Sequence, residues 1–372
     1  MTPFLWQPDH IASICPRTLS VAPAFGRAVV PDILPGHDVW DHWPVLTPTG
    51  AIASIAGGQL VIALTAARSD DPEDRHAVAR LRLFHRTDAG WRDLGPLFPA
   101  DDAPGSRQWS GSAVLADSGD SLRLFFTAVG ERHEGSISMS QRLFEATAAL
   151  CIMDGLPQIG PWHTVTECVR PDGVEYETEM AGGGGIGTIK AFRDPFFFRH
   201  TDGQDWLLFT ASAAGAQSSW NGVVGAARWI GDGWALQPPI ISALGLNNEL
   251  ERPHTIINRG AVYLFWSTQA KVFAPAGPRG PTGLYGVVAD HWGGAWRPIN
   301  GTGLVFANPA SAPAQAYSFQ VLPDLSVWSF ADLPETGDTP PDALARRAAF
   351  VGGPAPVLQL ALEGDVATLV PQ

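Results

Sequence analysis

From Pro44 onward, apolar runs of about five to eight residues, rich in Val, Ile, Leu, Phe and Trp, recur between tight turn signals. This pattern predicts antiparallel hairpins and no long helix. The hairpins pair up, and the pairs repeat at a period of roughly 55–85 residues. In the first unit, residues 51–56 pair with 60–64, and residues 79–85 turn at Asp88-Ala89-Gly90 into Trp91. The second joins 113–116 with 122–127, then 143–153 leads to Trp162. The third joins 195–199 with 206–211 and 223–229 with Trp234, and the fourth joins 253–257 with 262–267 and 284–289 with Trp296. The fifth joins 315–322 with 326–330, continues through either 348–351 or 357–362, and ends on 366–370.

Five such units, four with a Trp just after the second turn, predict an all-β fold. The expected architecture is a five-bladed β-propeller with four-stranded antiparallel blades around a central funnel. Two packed β-domains are the competing arrangement, because hairpin periodicity does not separate blade from sandwich. Residues 1–38 are Pro-rich with one short helix expected over 8–14, and read as an N-terminal lead-in packed on a propeller that occupies 39–372.

Composition narrows the function. Hydrophobic content of 45% with 16% charged residues excludes a chain disordered throughout, and 40 glycines and 32 prolines suit many short strands. A formal net charge of −13 without any Lys/Arg run offers no footprint for nucleic acid or anionic lipid, so a neutral substrate is expected. Cys15, Cys151 and Cys168 are widely spaced and odd in number, which favours buried free thiols, with a Cys151–Cys168 bridge as the alternative. No segment reaches transmembrane length, and the start of the chain has no basic, apolar leader pattern. The expected location is cytoplasmic, or extracellular by signal-independent export.

A propeller carries its innermost strands to one funnel mouth, so residues at or just before those strands should converge. Reading the five units at that point gives Trp40-Asp41, Trp109-Ser110, Arg193-Asp194, Glu249 with Glu251-Arg252, and Tyr317. Paired carboxylates with aromatic platforms and no metal-ligand spacing point to glycoside transfer. Asp41, between Trp40 and Trp43, suits a nucleophile on a rigid turn, and Glu251 suits the acid/base, its proton biased by Glu249 and Arg252. Asp194 can accept hydrogen bonds from ring hydroxyls. Each group alone has a plainer reading, as a turn residue, a strand-opening ion pair or a solvated charge pair. Their joint placement at matching points of the repeat favours a site. The histidines lack metal spacing, so no metal and no cofactor are expected. The acidic run Asp70-Asp71 with Glu73 and Asp74 reads as a solvated loop, and the glycines at 182–185 and 187 as a loop at the mouth.

Four motifs, in order, resemble glycoside hydrolase family 68, the levansucrase and inulosucrase group: Val39-Trp40-Asp41-His42-Trp43-Pro44, Trp109-Ser110-Gly111-Ser112-Ala113, Arg193-Asp194-Pro195 and Glu249-Leu250-Glu251-Arg252-Pro253. The resemblance implies a five-bladed propeller that cleaves sucrose with retention and passes fructose to water or a sugar acceptor. It implies Asp41 as nucleophile, Asp194 as transition-state stabiliser and Glu251 as acid/base. Trp40, Trp109, Ser110 and Arg193 would line the fructosyl pocket, and Glu249, Arg252 and Tyr317 would surround the acid/base. Gln269 stands where such enzymes carry an Arg or His facing the acceptor, which favours hydrolysis or short products over long polymer. Thr210 and Gln108 replace common glutamates, and Thr188 and Asn248 stand where some members place calcium-binding aspartates, so no structural calcium is expected. A related furanosidase acting on fructan or arabinan chains and a non-catalytic sugar-binding propeller are the competing readings.

Overall fold

The computed structural model describes residues 2–99, 102–178, 189–337 and 340–371. Its strands form five antiparallel blades. Blade I contains His37–Leu46, Gln59–Ala67, Arg80–Thr87 and Gly90–Pro96, and blade II contains Arg107–Leu115, Ser121–Val129, Gln141–Met153 and Leu156–Val169. Blade III contains Phe192–Arg199, Asp205–Ser212, Gly222–Trp229 and Trp234–Ser242. In blade IV, Glu251–Asn258, Ala261–Thr268 and Gly283–Ala289 are followed by two short strands, Arg297–Pro298 and Leu304–Ala307, that share the outer edge. Blade V contains Ala316–Val321, Ser326–Ala331, Leu358–Glu363 and Val366–Leu369.

The sequence pattern places the units correctly but misplaces the innermost strand of blade I, and of its two alternatives for the third strand of blade V the second holds. The innermost strand of blade I is His37–Leu46, so the segment around Asp41 lies inside it; residues 51–56 form only isolated bridges at the start of the first hairpin. Period-2 alternation is weak there because nearly every residue of that strand is buried, against the funnel on one side and neighbouring blades on the other. In blade V, Ala343–Ala349 is a helix capped by Asp342, and the third strand is Leu358–Glu363. The N-terminal helix is Pro8–Ala12, slightly shorter than expected. The three cysteines are free, and Cys15 and Cys151 are exposed rather than buried. Among the described residues no helix is long and apolar enough to cross a membrane.

One irregularity recurs. Every innermost strand breaks register with its neighbour at the same level: between Trp40 and His42, Trp109 and Gly111, Arg193 and Phe196, Glu251 and His254, and Tyr317 and Gln320. These are β-bulges, which re-aim side chains and bend the strand. At four of them a non-glycine residue takes the left-handed conformation: Asp41 (φ 37°), Asp194 (φ 60°), Arg252 (φ 49°) and Ser318 (φ 61°). Such backbone costs about 1–3 kcal/mol per residue and persists only where its surroundings over-determine it.

Here the neighbouring blade supplies the restraint. The residue opposite the bulge on the second strand is Thr127 in blade II, Thr210 in blade III and Ser267 in blade IV. Their hydroxyls accept from the backbone N–H of Asp194 (2.9 Å), Arg252 (3.1 Å) and Phe319 (2.8 Å), each in the following blade. The Ser112 hydroxyl adds a further tie, donating to Pro195 O and accepting from Phe197 N–H, both at 2.9 Å. The blade II bulge is enforced differently. A Cβ on Gly111 would lie 1.9 Å from the Phe125 carbonyl oxygen, a backbone atom that cannot move aside.

Gly111→Ala is therefore expected to lower stability by at least about 2 kcal/mol. Gly135→Ala, where an added Cβ meets nothing within 4 Å, should be nearly neutral. Equal denaturant midpoints for the two variants would contradict this account of the bulge.

Candidate active site

The bulges aim their side chains into one cavity of about 440 Å³ at the funnel mouth. All of the residues singled out from the sequence line it: Trp40, Asp41, Trp109, Ser110, Arg193, Asp194, Glu249, Glu251, Arg252, Gln269 and Tyr317. Asp41, Ser110, Asp194, Arg252 and Ser318 sit at the bulges, and Trp40, Trp109, Arg193, Glu251 and Tyr317 directly precede them. The site is thus two rings of equivalent positions.

Asp41 accepts a 2.5 Å hydrogen bond from the Ser110 hydroxyl, which fixes one carboxylate oxygen. The indole N–H of Trp109 donates to His76 O at 3.1 Å, so the ring is held as a wall. Burial, reinforced by the Arg75 charge, holds the His76 ring at a pKa of about 3, so it is neutral at physiological pH.

Arg193 is the electrostatic centre. It is 6% exposed and donates to Glu251 Oε1 at 2.8 Å, with Glu249 Oε1 at 3.6 Å and Asp194 Oδ2 at 3.8 Å. The Tyr317 hydroxyl donates to the other oxygen of Glu251. Glu251 is therefore held at both oxygens, between a guanidinium and a phenol. Burial raises Glu249 to a pKa of about 7, and the Glu251 charge pushes in the same direction against Arg193.

Asp194 is pushed up to about 6, first by burial and then by the charges of Glu251 and Asp41, with Arg193 opposing. Its Oδ2 accepts from the Thr210 hydroxyl at 3.1 Å and from Arg252 N–H at 3.3 Å. Thr210, noted in the sequence as replacing a common glutamate, thus serves the Asp194 carboxylate and the next bulge together. The Arg252 guanidinium points away from the cavity floor into the blade interfaces, donating to the Ser318 hydroxyl and carbonyl, His42 O and Gln320. It ties blades I, IV and V under the site. His254 extends this anchor: Nδ1 contacts Arg252 O at 2.9 Å and Nε2 accepts from Val321 N–H at 2.8 Å, which fixes a neutral tautomer.

The sequence reading missed part of the lining. Ser318 follows Tyr317 as the blade V bulge residue, and Leu64 and Phe330 occupy the positions held by Thr127, Thr210 and Ser267 in the other blades. The acidic run in the 70s is not merely a solvated loop. Asp71 caps a short helix and pairs with Arg346, while Glu73, Arg75 and His76 reach the cavity mouth. Lys271, two residues past Gln269, returns a cation to that mouth, and Asp332 adds a further carboxylate. The glycines at 182–185 and 187, with Thr188, lie outside the described residues. Asn248 is buried and donates to Ile189 O at 3.0 Å.

A sequence profile described as levansucrase/invertase, glycoside hydrolase family 68, matches residues 20–228 and 218–371. The chain belongs to glycoside hydrolase family 68. A levansucrase of Erwinia amylovora is 29% identical over 89% of this chain and 86% of its own length. A levansucrase of Pseudomonas savastanoi pv. glycinea is 28% identical over 88% and 84%. Among solved structures, an inulosucrase from Halalkalicoccus jeotgali bound to kestose is 35% identical, with a TM-score of 0.89 over 99% of this chain and 95% of that one. A levansucrase from Gluconacetobacter diazotrophicus shares the fold at 22% identity and a TM-score of 0.82, covering 99% and 90%.

The raised Asp194 makes a prediction about this family 68 site. Below the unfolded-state pKa of about 3.8 both states are protonated and the carboxyl costs nothing; as pH rises towards 6 the unfolded state ionises first and stability falls. Asp194→Asn removes a cost on the order of 2–3 kcal/mol above pH 6. Its melting temperature should exceed the wild type's by several degrees at pH 7.5, with the gap closing by pH 4. A variant no more stable than the wild type at any pH would contradict the assignment of that cost.

Proposed function

We propose that this family 68 protein is a retaining β-fructosyl enzyme that cleaves sucrose, releases glucose and passes fructose to water or a sugar acceptor. The observation that carries the reading is the convergence of Asp41, Asp194 and Glu251 in one cavity, with the buried Arg193 guanidinium against Asp194 and Glu251.

In this reading the fructosyl ring sits between Trp40 and Trp109, and Asp41 attacks its anomeric carbon. Ser110 holds the Asp41 oxygen that accepts its hydrogen bond, so the carboxylate is oriented before substrate arrives. As the bond from the anomeric carbon to the bridging oxygen breaks, Glu251 gives its proton to that oxygen and glucose leaves. Glu249, with its raised pKa, keeps a proton beside Glu251 near neutral pH. Asp194 takes hydrogen bonds from fructose hydroxyls, and its charge relieves the oxocarbenium-like transition state. In the second half, Glu251 takes a proton from water or an acceptor hydroxyl, whose oxygen attacks the anomeric carbon and frees Asp41.

Gln269, where related enzymes carry an Arg or His, favours hydrolysis or short oligosaccharides over long polymer. Lys271 beside it leaves the mouth with a cation able to meet a sugar hydroxyl.

Incubation with sucrose at low and high concentration, quantifying glucose, free fructose and oligosaccharides, tests the activity. Glucose should appear at both concentrations, in excess over free fructose at the higher one. Asp41→Ala should keep the wild-type fold by circular dichroism and lose glucose release by about 10³-fold or more. Turnover near the wild-type rate would overturn the nucleophile assignment.

A further inference from the structure

Past the three carboxylates, the cavity continues to a mouth built from connections between strands. Glu73, Arg75 and His76 follow the second strand of blade I, Gln269 and Lys271 follow that of blade IV, and Asp332 follows that of blade V. These are the same connection in three blades, which is why they rise on one face of the ring.

The blade I side of the mouth is fully engaged. The Arg75 guanidinium lies 4.6 Å from the Phe350 ring centre and 5.6 Å from that of Trp40, and donates to Pro72 O at 2.6 Å and Glu73 at 3.2 Å. His76 is neutral and holds Trp109 through its carbonyl. These groups build a rigid wall.

The opposite side is different. Among the described residues, neither the Asp332 carboxylate nor the Lys271 ammonium has a side-chain hydrogen bond or an ion pair, although both line the cavity. Asp332 is half-buried. Burial raises its pKa to about 6, with the Arg75 and Lys271 charges opposing and those of Glu73 and Asp41 adding. Above that pH it is a partly buried carboxylate with no protein donor, free to accept from the hydroxyls of a ligand in the cavity. Lys271 is exposed, and its charge acts on Asp332, Glu73, His76 and Glu249, groups from every side of the opening. One group can accept two hydroxyl protons and the other can donate to hydroxyl oxygens. Their charges cancel, so the pair selects for neither anion nor cation. A neutral polyol with neighbouring hydroxyls matches both.

We infer that Asp332 and Lys271 are specificity-determining residues that hold the neutral sugar accepting the fructosyl group, an assignment that rests on the transfer chemistry proposed above. They act on the partition of the fructosyl-enzyme between sugar and water rather than on its formation. Their positions on two different blades give the acceptor a fixed direction across the mouth, with its reactive hydroxyl towards Glu251.

The test uses the full chain at saturating sucrose, comparing wild type, Asp332→Asn, Lys271→Met and the double variant. The readout is the ratio of transfer product to free fructose within each reaction, which does not depend on how fast the intermediate forms. Each single change should lower the ratio by about fivefold or more, as expected for one lost hydrogen bond to a charged group. A merely structural role would slow glucose release and leave the ratio where it was. Lys271 is exposed on a short 3-10 helix, Ala270–Val272, so its variant reports even if Asp332→Asn folds poorly. A ratio within about twofold of wild type in both single variants, or no transfer product from the wild type, overturns the assignment. Absence of glucose release from wild-type protein would instead overturn the proposed activity, and this assignment with it.

Discussion

Each innermost strand carries one extra residue at the same level of the funnel, and the site follows from that constraint. A regular strand would send alternate side chains to opposite faces and leave Asp41 and Asp194 among the blade interfaces. The bulge turns the backbone through the left-handed region and re-aims the residue into the funnel. Because the hydroxyls of Thr127, Thr210 and Ser267 hold backbone N–H groups in the next blade, the local strain is distributed around the ring. Blade packing and site geometry are one structure.

Concentrating carboxylates in that ring has an electrostatic consequence. Arg193 faces Glu251, Glu249 and Asp194 together, one positive charge for three carboxylates, and burial first, with repulsion among the carboxylates adding, pushes up the pKa of Asp194 and Glu249. In fructosyl transfer that imbalance is useful. A transition state with positive charge on the sugar ring is attracted by carboxylates that repel one another in the empty site. Stability is surrendered in the resting protein for charge complementarity during the reaction.

The blade repeat was legible in the sequence because turn signals and post-turn tryptophans recur outside the funnel, where hairpins alternate normally. The innermost strand of blade I was not, since His37–Leu46 is buried on both faces, and in blades II to IV only the part after the bulge could be read as strand, because the bulge interrupts the period of two where the chemistry lies. The charged and aromatic pairs at the bulges could be found as chemistry without knowing their strands, which is why Asp41, Asp194 and Glu251 were visible. Ser318 was hidden beside Tyr317, since a lone serine carries no signal until the register aligns it with Asp41 and Asp194. Lys271 and Asp332 were invisible for another reason. They sit on connections whose direction only the fold determines, and Glu73, exposed as its run of acids suggests, lines the mouth for the same reason.

The central claim is that Asp41 carries fructose covalently between the two halves of the reaction. Rapid acid quenching of the wild-type enzyme during turnover of sucrose, followed by peptide mass analysis, tests it most directly. The account predicts a mass increase of one anhydrofructose unit on the peptide containing Asp41, absent from enzyme quenched without sucrose. Sustained turnover with no adduct, or an adduct confined to a peptide without Asp41, would contradict it.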